Sequence, residues 1–458
     1  MSEDSTTGRL LFPEMFAKPV VLEFDQRQGS SDGGAVLLKA AEGRYGLIAS
    51  MSVCLHDLRQ AGKVDHSLRD LFSQRVYSIG CGYADANDSA RLAADPMHKI
   101  LLDRDPITGP NMASQPTLSR FENAIGPRQL YHMGAALAEC VIERHAKRLR
   151  HRARLVTIDL DPTDDPTHGA QQLSFFNSHY DNACYLPMMG FVTFNDEADQ
   201  YLCAAVLRPG NVTAAAGAVG ILRRLMALIR DSFPKTRIRV RLDGGFANPE
   251  LLAFLDDEPG VEYVVAMASN AVLNRKAEDT MQYARLLAQL TGQTEHIYDE
   301  ARYAAGTWEQ ERRIIIKAEV VRAADKAPKD NPRFVITNMK QTPQWLYEQV
   351  YCQRGEIENR IKELHAMEID RTSCSRFWAN QFRVLLTAAA YVLMQELRLA
   401  AAGTNCARAQ VWTLRERFLK LGVRVVTSVR RMVLHLPQSF PYQTTFRRIT
   451  LELGASPG

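Results

Sequence analysis

Apolar and polar positions change rhythm several times along the 458-residue chain. Over 33–150 apolar residues recur every three to four positions, as in SVCLHDLRQAGKV, SLRDLFSQRVYSIGCGY and QLYHMGAALAECVIERHAKRL, which predicts amphipathic helices. Loops rich in Asp, Asn, Pro and Gly, such as LDRDPITGPNMASQP, separate them. From about 151 short runs rich in Val, Ile and Tyr take over. RLVTIDLD, YLPMMGFVTF, QYLCAAVLRPG, IRVRLDGGF and VEYVVAMAS predict strands, with a helix, GAVGILRRLMALIRDSF, between the third and fourth. After 270 a helical AEDTMQYARLLAQL precedes RYAAGTWEQERRIIIKAEVVR and RFVITNM, both predicted as strands and separated by a polar linker, ADKAPKDNP. Helical spacing returns from Gln344 to about 435, and residues 1–30 carry no regular pattern. Strands, then a helix, then another strand predict an α/β fold with a mixed sheet.

Composition narrows the class only a little. Hydrophobic content of 46% and charged content of 24% are those of a globular chain. The eight cysteines have neither CxxC pairing nor regular spacing, which excludes a disulfide framework and a zinc site of that kind. The start, MSEDSTTGRLLF, does not read as a signal peptide. The most apolar stretch, FRVLLTAAAYVLMQEL, is too short and too charged for a membrane span. A soluble, cytoplasmic protein with no membrane partner is expected.

Charge is uneven. From Arg371 to the end there are 13 Arg or Lys and three acids, a net of +10, which leaves −6 for the remainder. A second basic run, ERHAKRLRHRAR, lies at 143–154. Basic segments flanking an acidic middle suggest a polyanionic partner and a site that holds cations. A short helix, SQPTLSRFENAI, carries Thr117, Ser119 and Arg120 near its start and is a candidate for contact with DNA.

The candidate chemistry begins at DLDPTDDPTH, 159–168. Asp159 and Asp161 are two apart, so on a strand they share one face, and Pro162 stops the ladder. Asp243 ends a second strand and is followed by Gly244 and Gly245, then by Asn248 and Pro249 as a helix start. In YEQVYCQRGEIENRIKELHAM, Tyr351, Arg354, Glu358 and Lys362 are spaced three, four and four, a polar stripe on one helical face. Two strand-end Asp and one helical Glu, with no His or Cys cluster, point to Mg²⁺ or Mn²⁺. Two such ions suit an in-line phosphoryl displacement.

Four segments carry a family resemblance: IDLDPTDDPTHGAQQLSFFNSHYDNACYLPM, RLDGGFANPELL, YVVAMASN and YCQRGEIENRIKEL. Together they resemble the DDE transposases of insertion sequences, in particular the family numbered thirteen-eighty and its relatives with a Tyr, Arg, Glu, Lys signature. The signature's Lys falls at His365, and Lys362 stands one turn earlier. The resemblance implies a ribonuclease-H-like mixed-sheet core at 151–270 and 341–400 and a β-containing insertion at 271–340. A flexible N-terminus at 1–30, a helical DNA-binding domain at 31–150 and a basic C-terminal region at 401–458 would flank it. It implies catalytic, metal-holding roles for Asp161, Asp243 and Glu358. Asp161 is preferred because Asp161-Pro162-Thr163 fits the relatives' Asp-x-Thr pattern, and Asp159 is the alternative. Two Mg²⁺ (or Mn²⁺) ions would act.

Tyr351, Arg354 and Lys362 would steady DNA. Trp308 would stack a base, and His168 and Arg120 would add contacts. The implied function is metal-dependent cleavage at terminal inverted repeats and strand transfer into target DNA, by a homodimer on double-stranded DNA at the bacterial nucleoid. A metal-dependent nuclease with the same core and an inactive DNA-binding repressor are the alternatives.

Overall fold

The computed structural model describes residues 9–323 and 326–457. The chain divides into two compact units.

The larger unit comprises 45–59 and 120–395. It is built on β1 (Leu155–Pro162), β2 (Met188–Phe194), β3 (Tyr201–Val206), β4 (Arg237–Leu242) and β5 (Val261–Met267). These are the five runs expected as strands. They are apolar nearly throughout because both faces of the sheet are covered, so burial gives no alternation. β1 pairs antiparallel with β2 and β2 with β3, whereas β4 lies parallel to β1 and β5 parallel to β4. The parallel steps need crossovers. Helix α1 (Pro127–Arg148) packs on β3, and α2 (Ala218–Ser232) leads from β3 to β4 with Ile221, Leu222, Leu225, Met226 and Ile229 buried. α3 (Pro249–Asp257) joins β4 to β5, its start capped by Asn248, whose side chain accepts from Leu251 N at 3.2 Å.

The segment 271–340 adds to the same sheet. α4 (Ala271–Thr291) is followed by β6 (Glu295–Tyr303), β7 (Arg312–Val321) and β8 (Arg333–Thr337). β8 pairs with β5, so the sheet order is β6-β7-β8-β5-β4-β1-β2-β3, with Lys329–Asp330 pairing the end of β7. RYAAGTWEQERRIIIKAEVVR, expected as one strand, turns at 304–311 between β6 and β7. Most of β6 escaped notice because its residues are largely polar and exposed at the sheet edge. Of the linker ADKAPKDNP, residues 324 and 325 lie outside the described residues.

Beyond the sheet, α5 (Glu356–His365) and the buried α6 (Phe377–Ala400) follow. α5 does not begin as a regular helix. Leu346–Tyr351 is a wide π turn and Cys352–Gly355 a tight 3-10 turn, so Tyr351, Arg354, Glu358 and Lys362 do not form the uniform stripe their spacing predicts. Leu346, Tyr347 and Val350 pack on Val264, Ile315 and Val335 of the sheet, which anchors this irregular lead.

The smaller unit comprises 9–44, 60–119 and 396–457 of the described residues. Helices such as Leu68–Gly80 form it, that one capped by a Ser67–Asp70 box. Val423–Thr427 and Met432–His435, expected within a helical stretch, are strands that pair with each other, and the first also pairs with Gly29–Ser30. Part of the loose N-terminus expected at 1–30 lies outside the described residues, and within them Leu10–Phe12 pairs with Val20–Leu22. Among the described residues no helix is long and apolar enough to cross a membrane.

Candidate active site

β1 and β4 are parallel neighbours, so their C-terminal ends emerge side by side and deliver Asp161 and Asp243 to one edge of the sheet. Asp243 is held by its own turn. Its Oδ1 accepts from Gly245 N at 2.8 Å, and a Cβ at Gly245 would lie 2.7 Å from the Ala214 Cβ, so the turn requires glycine there. Arg354, carried by the 3-10 turn before α5, reaches both acids. Its Nη2 donates to Asp161 Oδ1 at 2.7 Å and to Asp243 Oδ2 at 3.4 Å. Glu358, in the first turn of α5, lines the same cleft of about 650 Å³ with Asp161, Asp243 and Arg354.

The electrostatics is that of an anionic site short of positive charge. Burial pushes the Asp161 carboxyl up to about 7; Arg354 opposes this, whereas Asp243, Glu358 and Asp159 reinforce it. Among the described residues the buried Arg354 Nε has no hydrogen-bond partner. Oxygen-only carboxylates drawn from three elements are a donor set that suits hard divalent cations.

Asp159 behaves differently from Asp161 although both lie on the same face of β1. It is fully buried, its two oxygens accept from Arg241 Nε and Nη2 at 2.8 and 2.6 Å, and Gln200 Nε2 donates to it at 2.8 Å. Arg241 is its register partner on β4. The ion pair neutralises Asp159 inside the sheet and leaves Asp161 to the cleft.

The other expected residues are scattered. Tyr351 is half-buried beside Tyr347, and burial raises its hydroxyl pKa, with Arg354 and Asp243 acting on it too. Lys362 is exposed and does not line the cleft. Trp308 packs in the core between α4 and β6–β8, edge-on to Tyr303 at 5.4 Å and under the Arg312 guanidinium at 4.9 Å. His168 and Arg120 are exposed and off the cleft lining.

The cleft also has a second wall. After β1, Asp165–Pro166, Phe175–Asn177 and Asn182–Tyr185 form a small three-stranded sheet, whose hairpin of the last two strands brings Phe176, His179 and Tyr180 to the cleft. Phe176 is 62% exposed. Burial raises the Tyr180 hydroxyl to about 12, with Asp164, Asp161 and Asp243 adding to it, so it stays a donor at neutral pH. Asn177 Nδ2 donates to Gly210 O at 2.7 Å, and a Cβ on Gly210 would meet the Cys184 carbonyl at 2.1 Å, so this backbone approach admits only glycine. The run NSHYDNACY is unusually polar for a segment between strands, and its pairing shows which face it turns to the acids.

Two further observations bear on ligands. Among the described residues, the acid, His and Cys group whose ligand atoms all lie within 4.8 Å of one another is Asp32, Cys81 and His98, in the smaller unit. Asp32 is already satisfied there, by His98 Nε2 at 3.0 Å and Lys420 Nζ at 2.9 Å, so this is an internally neutralised core. The basic excess after Arg371 is also smaller at the surface than the count implies. Arg383, Arg398 and Arg415 are buried, whereas Arg424, Arg430, Arg431, Arg447 and Arg448 are exposed.

No curated protein matches the chain. Residues 12–457 match the family described as transposase DDE domain, group 1. With two strand-end aspartates and a helical glutamate on one cleft and a match spanning nearly its whole length, the chain belongs to the DDE transposase family.

Proposed function

We propose that this transposase is encoded by an insertion sequence of the thirteen-eighty type. In this reading it cuts phosphodiesters at the element's terminal inverted repeats and joins the freed 3′-hydroxyl to target DNA. The observation that carries the proposal is the convergence of Asp161 and Asp243 on Arg354, with Glu358 on the same cleft. The order of β1 to β5, three antiparallel strands continued by two parallel ones with acids at adjacent ends, supports a ribonuclease-H-like core.

Asp161, Asp243 and Glu358 would hold two Mg²⁺ or Mn²⁺ ions, and the raised Asp161 pKa supports this, since burial first and the neighbouring acids second disfavour a negative charge that a bound cation would offset. When bound there, such a pair supplies Lewis acidity at the attacking and leaving oxygens of an in-line displacement. Arg354 balances the carboxylates of Asp161 and Asp243. Tyr180 and Tyr351 offer hydroxyls that stay protonated at neutral pH. Lys362, His168 and Arg120 would contact DNA outside the cleft, with the 31–150 helices and the exposed C-terminal arginines gripping phosphates. Two ends must be cut together, so a homodimer on double-stranded DNA at the nucleoid is proposed.

The test is a joining assay with DNA carrying the element's ends and a supercoiled target. Cleaved ends covalently joined to target support transposition. Cleavage with no joined product favours a metal-dependent nuclease.

A further inference from the structure

The chain just after Asp161 and the chain just after Glu358 are tied together by side chains that the proposed chemistry does not use. Thr163 is buried, and its backbone N–H donates to Pro187 O at 3.1 Å. Its Oγ1 lies 3.0 Å from Nε2 of His365, 202 positions away and the last residue of α5. His365 Nδ1 lies 3.2 Å from Asp370 Oδ2, and that hydrogen bond lowers the Asp370 carboxyl below its ordinary range. A second tie lies alongside. The Thr372 hydroxyl is 2.9 and 2.8 Å from the two oxygens of buried Asp165, and Gln171 Nε2 donates to Thr372 O at 2.7 Å.

Geometry gives the tie a consequence. Glu358 and His365 are seven residues apart on α5, so they lie on nearly the same face, about 10 Å apart along the axis. One end of that face carries an acid of the cleft, and the other is fastened to the strand end that carries Asp161. The lead into α5 is a π turn followed by a 3-10 turn, the kind of irregular backbone that marks a hinge. Both nitrogens of His365 are engaged within the protein, so it does not act here as a free cation for phosphate in place of the signature Lys.

We infer that His365 is a positioning residue that clasps Thr163, with its ring oriented by Asp370, and thereby sets Glu358 against Asp161 for cation binding. The inference rests on the reading of these acids as cation ligands. Outer contacts of this kind typically alter metal affinity by about 10–100-fold.

The experiment is calorimetric titration of Mn²⁺ into metal-free protein, alongside the Mg²⁺ dependence of cleavage and the thermal unfolding midpoint. The variants are His365→Ala, His365→Gln, the isosteric Thr163→Val, and Asp243→Asn. His365→Ala and Thr163→Val are expected to weaken Mn²⁺ binding about 10–100-fold and to raise the half-maximal Mg²⁺ concentration by a similar factor. His365→Gln, which keeps a polar group near Thr163, is expected to recover part of the loss. The double variant His365→Ala with Thr163→Val is expected to be no worse than His365→Ala alone. Mn²⁺ affinity unchanged in both single variants, with binding lost in Asp243→Asn, overturns the inference alone, whatever happens to thermal stability. Mn²⁺ binding that Asp243→Asn does not alter overturns the cation-ligand reading itself.

Discussion

Asp159 and Arg241 face each other across the parallel pair β1 and β4 and form a buried bidentate ion pair, 2.6 and 2.8 Å between the charged atoms. Removing one partner strands the other's charge in a dry interior, at a cost of about 3–5 kcal/mol. Asp159→Ala is therefore expected to destabilise the larger unit by that order, measured by chemical denaturation. Replacing both partners, Asp159→Ala with Arg241→Met, is expected to recover much of the loss. A mild single variant would mean that Asp159 is not held by this pair.

Asp161, two residues on, is expected to behave in the opposite way. Its pKa is raised from 3.8 to about 7, so the folded state holds the proton more tightly than the unfolded chain. Metal-free stability should fall as pH rises through that window and stay low above about 7. At pH 8, Asp161→Asn should raise the metal-free unfolding midpoint, by about 2–4 °C for each kcal/mol relieved. Mg²⁺ should raise the midpoint of the wild type and not that of Asp161→Asn. Thermal melts with and without chelator check both statements.

His145 gives a pH dependence of the other sign. It is buried between Phe194 and Tyr201, and burial, with Arg148 and Arg144 nearby, lowers its pKa well below 6.5. Below pH 6.5 the unfolded chain takes up a proton that the folded chain refuses, so stability falls as pH drops. One such group contributes about 1.4 kcal/mol per pH unit. His145→Phe should remove that slope between pH 6.5 and 5 in denaturation curves.

Phe176, in place of Trp308, is expected to stack DNA bases. Trp308 is held by Tyr303 and Arg312 in its own core, whereas Phe176 stands exposed on the cleft wall. Trp308→Ala is expected to lower stability by about 3 kcal/mol, the low end for a partly buried Trp, and leave DNA affinity near wild type. Phe176→Ala is expected to leave stability unchanged and weaken binding of DNA with unpaired ends by about 1–3 kcal/mol per stacked base. Fluorescence anisotropy with such DNA, beside thermal melts, separates the two.

The parts of this fold legible in the sequence are those where burial is one-dimensional. β1 to β5 read as apolar runs because both faces of the sheet are covered, and α2 shows its buried stripe. Asp161 and Asp243 stood out because each ends such a run. Pairing was not legible. Spacing puts Asp159 and Asp161 on one face, and only the register opposite Arg241 separates them. Thr163 and His365 meet across 202 positions, which no local pattern records. β6 was missed because an exposed edge strand needs no apolar alternation, and Val423–Thr427 because five residues cannot separate a strand from a helical turn.

The central claim is that Asp161, Asp243 and Glu358 together make one metal-dependent site for cutting DNA. The most direct measurement incubates the protein and its Asp243→Asn variant with labelled DNA bearing the element's ends, with Mg²⁺ or with chelator. Cleavage at the element boundary that needs both Mg²⁺ and Asp243 is the predicted result. Cleavage that persists in the variant or in chelator, or tight end binding with no cleavage by the wild type, would contradict it.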